Sequence, residues 1–236
     1  MIDSVVKPMP KEICCKNWVE LFNYIETSPN LPNGLSGRDA IEMLLDGLID
    51  NPKYLIQDPS NPEHAMPVKE KHLTDKKFWH SNEFSIKLLA NASKVIGGYR
   101  PLFQAGIFAG YNMFKKNQPK HLQFLRLFSP NMFLKIAKFV NSKLNKTKNP
   151  NVIQTISGYS KINLNYHDKF KNNITSNVCD WNAGIYTGMG QYSGAHDIMV
   201  VEKACITRGD QDCIFEMRWT HLNFFRRLLI FIHSII

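Results

Sequence analysis

Three cysteines and one glutamate near the C-terminal end form the pattern Cys179-x22-Glu202-x2-Cys205-x7-Cys213. Thiolates are soft donors suited to zinc, and a carboxylate adds a harder fourth donor. Together they complete a tetrahedral zinc shell. Four protein ligands leave no position for a reactive water, so the chemistry this set implies is structural rather than hydrolytic. The competing reading is that the three cysteines pack as small hydrophobes. Spacing alone leaves both readings open.

The elements that must position these residues can be read from the flanking sequence. Ile174–Gly194 reads as a glycine-containing helix, with Cys179 near its start. Asp197–Thr207 is β-branched and apolar, and Cys213–Trp219 alternates apolar with polar residues. Arg208-Gly209-Asp210-Gln211-Asp212 between them is a turn, so the last two segments form a hairpin with Cys205 and Cys213 flanking its turn. Strand alternation places Glu202 and Cys205 on opposite faces. A bulge or strand end near Ala204 is therefore required to bring both inward. Gly184-x3-Gly188 implies close packing of the helix against the sheet. No strand–glycine loop–helix pattern supports a nucleotide site.

Upstream, helices are expected over Cys14–Thr27 and over Gly37–Asn51, the second capped by Ser36. A connection rich in Pro, Asn and Asp follows to about Val68. Ser81 caps a helix through Val95, and Gly97-Gly98 ends it. Pro101 opens the next helix, to about Lys116. Two more helical stretches, His121–Phe128 and Asn131–Leu144, precede a turn at Lys146–Pro150. Ile162, Leu164 and Tyr166 then alternate as a half-buried strand. The expected fold is α+β, a small antiparallel sheet packed by helices with a helical N-terminal extension. The expected divisions are a helical extension over 1–78, a ligand-binding domain over 79–219, and an apolar C-terminal helix over 220–236. Its apolar run Leu228–Ile236 is too short to span a bilayer; the stretch suits an output linker or a membrane or partner contact.

The chain has 236 residues, 44% hydrophobic and 21% charged, the composition of a globular protein. The first residues lack the pattern of a secretion signal, so a cytoplasmic location with reduced thiols is expected. The net charge is +9, and between Phe84 and His167 there is no acidic residue. That stretch reads as a solvated basic face over a phenylalanine-rich core, or as a surface for something anionic such as a membrane. Nucleic acid is the less favoured partner. No Ser/His/Asp set or carboxylate dyad stands out, so an enzyme is not favoured. His196 is marked as a pocket candidate.

The segment Cys179-x4-Gly184-x3-Gly188-x13-Glu202-x2-Cys205-x7-Cys213, followed by Phe215 and Trp219, resembles the 4-vinyl reductase domain. That domain forms the sensing module of phenol- and xylene-responsive activators and precedes bacterial sensor kinases. Its fold is shared with small subunits of the transport protein particle. The resemblance implies a structural zinc on Cys179, Glu202, Cys205 and Cys213, and a pocket for an apolar or aromatic small molecule. Trp181, Ile185, Met189 and His196 are the candidate pocket residues. It also implies a homodimer and a regulatory, signalling role. The alternatives are a membrane-associated scaffold of transport-particle type and a tetrapyrrole-related reductase or accessory factor. Asp180, Ile185 and Met189 depart from the aromatic sensors, which carry Trp and Tyr at those places.

Overall fold

A computed structural model describes residues 11–28, 31–35, 37–57, 59–60, 65–75, 77–117 and 130–220. The expected Ser36 cap, the helix over His121–Phe128 and the stretch after Thr220 lie outside the described residues. The chain divides into two compact units, one of residues 1–97 with 144–147, the other of 98–143 with 148–236. Trp79–His80 and the helix after it, which the sequence reading places in the second part, belong to the first unit.

The first unit is built from β1 (Ile13–Cys14), α1 (Val19–Thr27), α2 (Gly37–Leu45), β2 (Leu55–Gln57), β3 (Ala65–Pro67), β4 (Trp79–His80) and α3 (Asn82–Ile96). The expected helix over Cys14–Thr27 starts later, at Val19. Ile13 and Cys14 pair instead with His80 and Trp79, and the Cys15 N–H donates to the Phe78 carbonyl. The second helix stops at Leu45, not Asn51. The Asn91 amide on α3 donates to the carbonyls of Leu44 and Asp46, satisfying chain ends that a longer helix would have used. Gly47 then takes a positive φ of 68°. Ser81 caps α3 as expected, its hydroxyl accepting from the Phe84 N–H.

Leu21, Ile25, Leu44, Leu48, Phe84 and Leu88 form the interior of this unit. His80 lies among them with both ring nitrogens engaged. Nε2 accepts from Trp18 Nε1, and Nδ1 donates to the Ser81 carbonyl. Burial pushes its pKa down to about 4, so it is neutral at pH 7.

The second unit contains α4 (Pro101–Asn117), α5 (Pro130–Leu144), β5 (Lys148–Ile156), β6 (Tyr159–Tyr166), α6 (Asp168–Lys171), α7 (Ser176–Tyr192), β7 (His196–Ala204) and β8 (Cys213–Thr220). Its four strands form an antiparallel sheet in the order β5-β6-β8-β7. Alternation fixes the buried face: Ile162, Leu164 and Tyr166 on β6, and Cys213, Phe215, Met217 and Trp219 on β8. Met189, Tyr186 and Tyr192 of α7 share that core. The turn expected at Lys146–Pro150 ends early, because Lys148 already pairs with Tyr166. Pro150 is tolerated in this strand because β5 lies at the sheet edge. The architecture is α+β, with small antiparallel sheets and helices.

Helices α4 and α7 meet at their backbones. A Cβ placed on Gly184 would lie 2.2 Å from the Phe103 carbonyl oxygen, and one on Gly188 would lie 2.1 Å from that of Ile107. On the other side, a Cβ on Gly106 or Gly110 would lie 2.5 or 2.2 Å from the carbonyl oxygens of Trp181 and Ile185. Glycine is required on both helices, and Gly184-x3-Gly188 serves a helix–helix contact rather than the helix–sheet contact expected. Its partner on α4 is a second glycine pair at one-turn spacing, Gly106-x3-Gly110.

Candidate metal centre

Cys179 is buried on the first turns of α7, while Cys205 and Cys213 are buried on either side of the β7–β8 turn. The β7–β8 register slips between Glu202 and Ala204, since Glu202 faces Phe215 and Ala204 faces Ile214. This irregularity is the one the alternation problem required, and past it the chain turns Cys205 inward. A 3-10 turn over Ile206–Arg208 follows, closed by Gly209 at a left-handed φ of 92°. Asp210 accepts from the Cys205 N–H at 2.7 Å and fixes the turn.

The four donor atoms of Cys179, Glu202, Cys205 and Cys213 all lie within 4.8 Å of one another. The sulfurs stand 3.3 Å apart for Cys179–Cys205, 3.7 Å for Cys179–Cys213 and 3.9 Å for Cys213–Cys205. Sulfurs at zinc-bond length on a tetrahedron sit about 3.8 Å apart. All three cysteines are free thiols. Glu202 accepts from the Arg208 guanidinium through Oε2 at 2.7 Å. Its Oε1 is buried with no hydrogen-bond partner. A buried carboxylate oxygen left unpaired is costly, and a cation is the natural occupant beside it. A metal ion fits this set of residues.

The thiols titrate as one group. Hydrogen bonding from Cys179 draws the Cys213 thiol down to about 7, against the effect of burial. That same contact, with burial and repulsion behind it, pushes Cys179 up. Burial pushes Cys205 up as well, against a hydrogen bond with the Thr207 hydroxyl. Each further ionisation is opposed by the first unless a cation enters.

The remaining sequence candidates separate. Trp181 and Met189 are buried and Ile185 is partly buried, spaced one turn apart along α7. The Trp181 and Ile185 backbones are the surfaces that Gly106 and Gly110 touch. His196 is exposed at the far end of β7, opposite Thr220. Six residues of strand separate it from Glu202, about 20 Å, so it is not next to the cysteines as its sequence position suggests. Asp180 receives Arg100, whose Nη2 and Nε donate to one carboxylate oxygen at 2.7 and 2.9 Å. This departure from the aromatic sensors therefore joins α7 to the approach to α4. Sequence reasoning missed Lys148, which is buried and donates to Asn182, one turn after Cys179 on α7; its place in a lysine-rich, turn-like run concealed it.

No family model matches the chain, and no curated protein matches it. Among solved structures, an H-NOX protein from S. oneidensis in the Fe(II)NO ligation state is similar with a TM-score of 0.55 and 10% identity, over 89% of this chain and 100% of that one. A mutant H-NOX protein from K. algicida, in the Fe(II) unliganded state, gives a TM-score of 0.53 and 10% identity, over 90% of this chain and 100% of that one. An S. oneidensis H-NOX triple mutant in the Fe(II) state gives 0.56 and 12%, over 90% of this chain and 99% of that one. At such coverage the likeness runs through both units. Of the four described histidines, His80 is fully engaged, His72 accepts from the Lys69 N–H and stacks on Phe78, and His167 and His196 are exposed. Three of the five cysteines lie at the metal corner. The chain thus shares the fold of these H-NOX proteins, and its likeness to the 4-vinyl reductase domain rests on the Cys179–Trp219 motif alone.

Proposed function

We propose that the second unit is a regulatory small-molecule-binding module held together by a structural zinc on Cys179, Glu202, Cys205 and Cys213. The observation that carries this reading is the convergence of three buried sulfurs with a buried, unpaired carboxylate oxygen. The ion would tie the start of α7 to the β7–β8 hairpin, and its binding energy would become folding energy. Four protein donors leave no site for an activated water, which favours a structural role over a hydrolytic one.

The sensing part of the proposal draws on fold likeness to H-NOX proteins described in ligated and unliganded states and on the motif resemblance. Trp181, Ile185 and Met189 would face an apolar or aromatic ligand beside the α4–α7 contact. A ligand there would bias the separation of two helices whose backbones touch, and so shift the domain between two arrangements. Native mass spectrometry of the purified protein tests this: a co-purifying small molecule, released on unfolding, supports it. If no molecule co-purifies and no apolar or aromatic compound raises the melting temperature, the sensing reading fails while the zinc reading stands.

A second reading has one observation behind it. Phe139 is 65% exposed on α5, with Lys143 5.6 Å from its ring centre and Lys135 and Lys138 exposed on the same helix. Such a surface suits an anionic membrane, and salt-sensitive sedimentation with phosphatidylserine vesicles would support it. Among the described residues, no helix is long and apolar enough to cross a membrane.

A further inference from the structure

We propose that the Lys148 ammonium is the buried counter-charge of the cysteine–glutamate metal centre, an assignment that rests on the zinc reading above. Lys148 begins β5 opposite Tyr166 on β6, and its side chain points to the buried face of the sheet. Two residues before Tyr166, Leu164 pairs with Cys213. On α7, Asn182 follows Cys179 by three residues and so shares its helix face. Lys148 Nζ donates to Asn182 Oδ1 and stands 5.7 Å from the centre of the Tyr166 ring. Asn182 in turn donates to the Tyr166 hydroxyl at 3.1 Å and to the Val178 carbonyl at 2.8 Å. The polar network is thereby fixed on the sheet side of the Cys179 turn.

A lysine only 8% exposed needs an anion, and among the described residues no carboxylate pairs with it. The anions that would act on it are Cys179 and Cys213 once they ionise as metal ligands. Tyr166 and Tyr186, the other titratable groups of this interior, are held neutral by burial. Burial lowers the Lys148 pKa to about 8, against the pull of the two thiolates. Three thiolates and a carboxylate around a dication carry a net charge of about −2. Arg208, on Glu202 from the exposed side, returns one positive charge. Lys148, from the interior, returns the second. The filled centre would then be neutral as a whole, which is what its burial demands.

The test is zinc affinity by competition with a chromophoric chelator, in wild type, Lys148→Met and Lys148→Arg. Methionine keeps much of the apolar stem and loses the charge, while arginine keeps the charge and changes the shape. The assignment expects Lys148→Met to bind zinc about tenfold to hundredfold more weakly, the usual cost of losing an outer-shell partner. Lys148→Arg should lie closer to wild type. A Lys148→Met protein that binds zinc as tightly as wild type, or more tightly than Lys148→Arg, overturns it in favour of a packing role. Should Lys148→Met not fold, Asn182→Asp gives the lysine a carboxylate of its own. It should weaken zinc by a similar factor, and an unchanged affinity there overturns the assignment equally. A wild type that binds no zinc sinks the metal reading itself, a different and distinguishable failure.

Discussion

Helix α7 is held in two places by opposite means. Near its start, Cys179 joins Cys205, Cys213 and Glu202 in a corner made of reactive donor atoms. One to two turns later, Gly184 and Gly188 meet Gly106 and Gly110 through the absence of side chains. The first contact depends on solution chemistry: metal supply, proton concentration and oxidation all act on thiols. The second depends on shape alone. The same helix can thus be sensitive to its surroundings at one end and indifferent to them in the middle, which suits a module whose frame must hold while something else responds.

The largest effect should come from breaking the chemical end. Cys213→Ser is expected to lose the metal and several kcal/mol of stability, since a structural zinc contributes on the order of 10 kcal/mol of binding energy to folding. Elemental analysis and thermal unfolding read both changes, and an excess of strong chelator should reproduce them in wild type. Metal affinity should also fall as pH falls, because thiols must lose their protons to bind and burial works against ionisation at this corner.

Breaking the shape end should be nearly as costly and wholly different in kind. Gly188→Ala places a methyl group against the Ile107 carbonyl, so α4 and α7 must separate. A loss of about 1–3 kcal/mol or more is expected, with zinc stoichiometry unchanged. If Gly188→Ala lost zinc before it lost helix packing, the two ends would not be independent.

The first unit supplies a control of a different kind. His80 is lowered from an ordinary 6.5 to about 4 by burial. The unfolded chain therefore binds a proton that the folded one refuses between those values. The contribution of His80 is fully present above pH 6.5 and is lost as pH falls through 4, on the order of 3 kcal/mol in all. His80→Gln should flatten that part of the acid stability profile without moving zinc affinity at pH 7.

Glu202→Gln should have the smallest effect. It keeps an oxygen donor in place but removes its charge and releases Arg208, so a roughly tenfold loss of zinc affinity, about 1.4 kcal/mol, is expected. Competition with a chelator measures it. An unchanged affinity would leave a three-thiolate site and remove Glu202 from the centre.

The corner was legible in the sequence because its donors are chemically distinctive and its hairpin is local. Even the irregularity near Ala204 followed from alternation, since Glu202 and Cys205 could not otherwise face the same way. What escaped notice depended on distant pairing. Cys14 read as the start of a helix because its partner, Trp79, is more than sixty residues away. Gly184 and Gly188 pointed to close packing, but only the fold showed that the second surface was α4 and not the sheet. Lys148 sits among polar and charged residues that resemble a turn, and nothing local marks it as buried. His196 is close to the cysteines in sequence, yet an extended strand carries it away from them.

The central claim is the metal at the corner, and metal content of the protein purified without added zinc tests it most directly. Native mass spectrometry before and after acid unfolding should show about one zinc per chain, lost on unfolding and lost in Cys213→Ser. A folded wild type that carries no metal, takes up none from zinc-containing buffer and melts at the same temperature with and without chelator would contradict the account.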